Sequence, residues 1–170
     1  RSHDKLEALA NGINQNGGKA HFFAEDLGQI DSAAALHQKI LSENLQVDLL
    51  INNAGYGRWG QFSEFDRDDY ASMIHLNITS LTDLCHLFIP AMVDRGNGGV
   101  INIGSTASFL PVPYATVYSS TKAYVLMFSE ALRYEYARSN IRVMVSCPGA
   151  TDSNFRNTAS EKSPEKLKAR

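Results

Sequence analysis

The chain has 170 residues, 44% hydrophobic and 20% charged, with a net charge of −2. That length buries the core of one domain, and charges of both signs scattered along it give no basic face for nucleic acid or an anionic membrane. Apolar stretches are strand-sized, which predicts no bilayer-spanning segment, and Cys85 and Cys147 lie far apart and outside any metal spacing, as buried free thiols of a reducing, cytoplasmic compartment.

In chain order, Lys5 to Asn11 predicts the end of a helix, with Leu6 and Leu9 on one face and Gly12 as its stop. Gly17-Gly18 is a turn, and Ala20 to Ala24 is a short apolar run, a candidate strand. Asp31 to Leu45 is amphipathic, with Ala33, Leu36, Ile40 and Leu41 along one stripe. Val47 to Ile51, broken only by Asp48, predicts a buried strand, and Asn53 to Gly60 a glycine-rich loop. Asp68 to Val93 is a long helical pattern that Gly96 to Gly99 breaks. Val100 to Ile103 predicts another buried strand, Tyr118 to Ser139 a helix, and Ile141 to Cys147 a last strand ended by Pro148-Gly149. There is no internal repeat and no low-complexity linker.

Apolar strands alternating with helices predict an α/β fold, a three-layer, Rossmann-like, doubly wound parallel sheet with right-handed crossovers and both faces covered. Ligands of such sheets sit at the carboxyl ends of the strands. That rule singles out Asp26-Leu27, Asn52 to Gly55, Gly104-Ser105 and Pro148-Gly149.

Tyr118 and Lys122 are four residues apart and share one helix face. A free tyrosine, with a pKa of about 10, is a poor base at neutral pH. A nearby ammonium and the positive end of a helix both favour the phenolate, so the pair makes a proton donor and acceptor for neutral pH. Spacing alone equally describes a surface tyrosine and a solvated lysine. Ser105, just past the strand Val100 to Ile103, adds a second hydroxyl. Two donors aimed at one oxygen stabilise the charge that develops when hydride reaches its carbon. A serine there also serves as a turn or helix cap.

Asn52-Asn53-Ala54-Gly55, Ile101-Asn102-Ile103-Gly104-Ser105, Tyr118-Ser119-Ser120-Thr121-Lys122 and Cys147-Pro148-Gly149 occur in that order. Together they resemble the NNAG, catalytic-serine, YxxxK and PG blocks of the short-chain dehydrogenase/reductase family, from Arg1 to about Phe155. The resemblance implies that Tyr118 is the general acid/base and that Lys122 lowers its pKa and bonds the nicotinamide ribose. It implies that Ser105 polarises the substrate carbonyl and that Asn77, in Leu76-Asn77-Ile78, holds a relay water. On the cofactor side it implies Asp26 at the adenine ring with Leu27 beside it, and the backbone of Asn52, Asn53, Ala54 and Gly55 close to a ribose. Pro148 and Gly149 would fix the loop beside the nicotinamide, and Ser153 stands where the family has a threonine that bonds the carboxamide. Arg1, able to pair with a 2′-phosphate, favours NADP(H) over NAD(H). Tyr56, Arg58, Trp59 and Tyr114 are placed to line the substrate entrance or to pack its loops. The histidines His3, His21, His37, His75 and His86 form no metal-ligand spacing, so no metal is expected.

The family's glycine-rich pyrophosphate turn belongs before Arg1. The expected fold is therefore partial, lacking the first strand-helix unit and the C-terminal strand. Residues 1–170 make one incomplete dinucleotide-binding domain, with 156–170 as the start of a substrate lid or a flexible tail. The implied activity interconverts a carbonyl and a secondary alcohol of a small molecule, in a homodimer or homotetramer. Two alternatives are a non-catalytic fragment or interaction module that lacks the phosphate-binding segment, and epimerisation or dehydration on the same fold.

Overall fold

The computed structural model describes residues 2–151. Arg1, Ser153 and the 156–170 tail, all part of the sequence reading, lie outside the described residues. In chain order the elements are α1 (His3–Gln15), α2 (Ser32–Ser42), β1 (Leu49–Asn52), α3 (Arg67–Ile74), a π-helical turn (His75–Thr79), α4 (Ser80–Arg95), β2 (Gly98–Ile103), α5 (Thr116–Glu135) and β3 (Ile141–Ser146). Short 3-10 turns occupy Phe62–Glu64 and Thr106–Ser108.

The three strands pair in parallel in the order β1-β2-β3. Their register aligns Leu50, Val100 and Val143 on one face and Ile51, Ile101 and Met144 on the other. The first face carries the core. Val100 and Val143 pack with Ala33 of α2, with Leu84, Cys85, Phe88, Ile89 and Met92 of α4, and with Val125 of α5. The α/β class, the parallel sheet and the alternation of strand and helix are those read from the sequence.

Some local expectations differ. β1 is not the buried strand expected, since Leu49 and Ile51 are 52% and 54% exposed. Only its alternate residues meet the helices. Helix α1 runs through Gly12, whose cost of about 1 kcal/mol the rest of the helix absorbs. Ala20 to Ala24 joins no strand, and the Ala20 backbone N–H and C=O both pair with the Asn14 side chain instead. The long helix from Asp68 is interrupted at the π turn, and Gly96 ends α4 in the left-handed region at φ 66°. The continuous run Arg67–Arg95 is also long and apolar enough, by length and composition, to cross a bilayer, which the sequence reading did not anticipate. Half of that apolar window is buried inside the domain, as the apolar side of a core helix is.

Candidate active site

Three strand ends and the start of α5 converge. Tyr118 is in the first turn of α5 and Lys122 lies one turn on, and each is only 6% exposed. Ser105 follows the end of β2 and caps the Thr106–Ser108 turn. Its Oγ accepts from the Ala107 N–H at 3.1 Å, while its own N–H donates to Ser108 Oγ at 3.2 Å. The Ser105 hydroxyl lies near enough to the Tyr118 phenol to favour its ionised form. Lys122 Nζ donates to the Ile103 carbonyl at 2.7 Å and lies 6.0 Å from the centre of the Tyr118 ring. The sequence thus brings Ser105, Tyr118 and Lys122 together as expected.

The electrostatics differ from the sequence reading. Burial pushes the Tyr118 phenol above its ordinary value, and the Ser105 hydroxyl only partly offsets it. Burial also pulls the Lys122 ammonium down to about 8, against an opposing pull from Cys147. Lys122 was expected to hold Tyr118 low. Here desolvation dominates, and the amine is directed at the Ile103 carbonyl. Burial therefore favours the neutral phenol at Tyr118.

Asn77, 1% exposed, sits in the π turn facing this group. Its Nδ2 donates to the Tyr56 carbonyl at 2.9 Å and to Thr121 Oγ1 at 3.0 Å, and its Oδ1 accepts from the Tyr56 N–H at 3.1 Å. Thr121 Oγ1 in turn donates to the Tyr118 carbonyl at 2.7 Å. Thr121 and Tyr56 were not singled out as partners of Asn77. The signal for Thr121 was its position within the YxxxK block, three residues after Tyr118 on the same helix.

Gly55 lies where these residues meet. A Cβ there would stand 3.0 Å from Asn77 Oδ1 and 3.6 Å from Lys122 Nζ, so only a glycine leaves this approach open. Asn53 and Ala54 expose the chain just past β1. The Asn52 side chain turns inward instead. Its Nδ2 donates to Asn102 Oδ1 at 2.9 Å, and Asn102 Nδ2 donates to Ser129 Oγ at 2.9 Å. Asn52 thus ties β1 through β2 to α5. Pro148 and Gly149 follow β3, and the Pro148 carbonyl accepts from the Thr106 N–H at 3.1 Å, joining this rim to Ser105. Asp26 closes a turn by accepting from the Gly28 N–H at 3.2 Å, and the Leu27 carbonyl accepts from Ser80 Oγ at 2.6 Å. Exposed backbone at the strand ends, a glycine approach and a buried amine together fit a nicotinamide dinucleotide laid across them. Among the described residues no cluster of three or more His, Cys, Asp or Glu side chains could hold a metal ion.

Residues 1–164 match the family model described as short chain dehydrogenase. Among curated proteins, the ketoacyl reductase HetN of Nostoc sp. is 32% identical over 149 residues, which are 88% of this chain and 52% of HetN. The 3-oxoacyl-[acyl-carrier-protein] reductase FabG of Chlamydia muridarum is 31% identical over 142 residues, 84% of this chain and 57% of FabG. The chain thus spans little more than half the length of these relatives. Among solved structures, a short-chain dehydrogenase from Sphingobium yanoikuyae in complex with NADPH superposes with a TM-score of 0.88 at 33% identity, covering 94% of this chain and 62% of that one.

Proposed function

The chain belongs to the short chain dehydrogenase family, and from that premise we propose that it interconverts a carbonyl and a secondary alcohol with NADP(H), using Tyr118 as general acid/base. The observation that carries this reading is the buried pair of Tyr118 and Lys122, one helical turn apart on α5 with the Lys122 amine 6.0 Å from the phenol ring, beside the Ser105 hydroxyl after β2. A nicotinamide dinucleotide held there would supply the hydride. As hydride adds to the carbonyl carbon, the π pair moves to oxygen, which takes the Tyr118 proton. Ser105 donates to the same oxygen and stabilises its charge before the proton arrives. Asn77 fixes the turn from which a relay water is held, its two amide hydrogens being already used on Tyr56 and Thr121.

Asp26, Leu27, Asn52, Asn53, Ala54, Gly55, Pro148, Gly149 and Ser153 are assigned to the cofactor side, as is Arg1. The preference for NADP(H) is supported by the Arg1 guanidinium and by the NADPH held by the Sphingobium relative. A carbonyl substrate is supported by the ketoacyl reductases among its relatives. A homodimer or homotetramer through the outer side of α5 is supported by the exposure of Met127 and Tyr134 there, 64% and 73%.

The test is Tyr118→Phe. It keeps the ring and removes the proton. Turnover should fall by about 10²- to 10⁴-fold, while NADPH still binds saturably by fluorescence titration. Full activity in the variant overturns the assignment.

A further inference from the structure

Beside the polar Ser105 and Lys122, an apolar and aromatic cluster packs on the Tyr118 ring. The Trp59 ring packs 5.6 Å from it, tilted by 42°. Gly57 makes this contact possible, because a Cβ there would lie 3.1 Å from Tyr118 and 3.3 Å from Trp59. The loop is pinned by the Gly60 N–H, which donates to the Tyr114 carbonyl at 2.8 Å, with Tyr114 in the left-handed region at φ 66°. Met73, Ala107, Val112 and Ala115 complete the apolar wall. Phe109 and Leu110, on the same connection from β2 to α5, are 64% and 57% exposed.

Arg58 and Glu64 in this region have partners of their own. Arg58 lies 3.6 Å from the Asp69 carboxylate, both side chains only 13% exposed, and its guanidinium sits 4.9 Å over the Tyr56 ring. Glu64 accepts from the Gln61 N–H at 2.7 Å. After burial itself, Asp69 and Glu64 both push the phenol of neighbouring Tyr70 up. Lys122 is held on the Ile103 carbonyl. A carboxylate substrate entering this apolar wall would lose its hydration. A flat apolar group would lose nothing and gain ring contact.

We propose that Trp59 is a specificity-determining wall of the Tyr118 site, and that the site takes an uncharged ketone with an aromatic or flat apolar substituent laid against the Trp59 ring. This rests on the carbonyl-reductase reading above. Selectivity then comes from the indole face and from the desolvation of any charged substituent against the apolar wall.

Two measurements on the intact protein test it. Trp59 is the chain's single tryptophan, so its emission reports occupancy without turnover. Titration with 1-phenylethanol should quench it saturably, whereas lactate should not. In kinetics with NADPH, acetophenone should be preferred to 2-oxobutanoate. Trp59→Ala should lower kcat/KM for acetophenone about tenfold more than for 2-butanone, mainly through KM, and Trp59→Phe should keep the preference. Equal losses on both ketones, or a preference for the keto acid, overturn the proposal and reduce Trp59 to a prop for Tyr118. Saturable quenching without turnover of any ketone supports the Trp59 site and overturns the reductase reading. Turnover without quenching does the reverse.

Discussion

Lys122 is the residue whose chemistry depends most on its surroundings. Burial lowers its ammonium from 10.5 to about 8, a desolvation cost of about 3 kcal/mol. Below about pH 8 folded and unfolded chains both hold the proton, so the folded chain bears the whole cost. Between about 8 and 10.5 the unfolded chain keeps the proton that the folded chain has released, and stability rises with pH across that window. Lys122→Met should therefore remove this rise while abolishing turnover. Urea unfolding at pH 7 and pH 10 reads it. The gain in stability between the two pH values should be smaller in the variant, and equal gains would mean that Lys122 is not desolvated. The pairing of Tyr118 with Lys122 was legible in the sequence, because a spacing of four fixes the helix face. The sign of the pKa effect was not. It depends on how much of α5 the rest of the domain covers, and no local spacing encodes that.

At the scale of elements, the π turn His75–Thr79 decides where Asn77 points. A regular helix through these residues would continue the rotation of α3 into α4. The wider turn resets it and delivers Asn77 to the Tyr56 backbone and Thr121. Turns of this kind recur at functional sites because they redirect a side chain without ending the helix. Asn77→Ala leaves the Tyr56 N–H and C=O without their partner. It should cost about 2–3 kcal/mol by denaturant midpoint, with an unchanged slope, and should lower kcat as Tyr118 loses its support through Thr121. A midpoint equal to that of the unmodified chain would mean that water replaces the amide without loss. The long helical pattern and its end at Gly96 were readable, since periodicity and a glycine stop carry them. The interruption was not, because Leu76-Asn77-Ile78 fits a helix as well as a π turn. Asn77 itself was legible only through the family resemblance and through the low helix propensity of asparagine. Strand ends were the most legible feature. Asn52, Ser105 and Pro148 all stand at carboxyl ends of strands or just beyond them, where a parallel sheet collects its ligands.

For the whole molecule, the two faces of the sheet have different fates. One packs on α2, α4 and α5. On the other, Leu49, Ile51 and Met144 are each a little more than half exposed, in register with Ile101 between them. The outer edge of β1, unpaired among the described residues, runs beside the same patch. Contiguous apolar surface joined to an open edge is what drives strand-to-strand and face-to-face association. The sequence could not show this, since a run such as Leu49-Leu50-Ile51 reads as buried on both sides whatever lies over it. The 170-residue chain, prepared as such, should therefore self-associate with rising concentration in sedimentation velocity and bind a hydrophobic dye such as ANS. Ile51→Lys places a charge at the centre of the patch without touching the helix-covered face. It should suppress dye binding and association while leaving the helical circular dichroism intact. Leu50→Lys, one residue away but directed into the core, should instead unfold the domain. A monomeric chain that binds no dye would show that Leu49, Ile51 and Met144 are covered in solution. Equal tolerance of the two substitutions would overturn the register that assigns Leu50 and Ile51 to opposite faces.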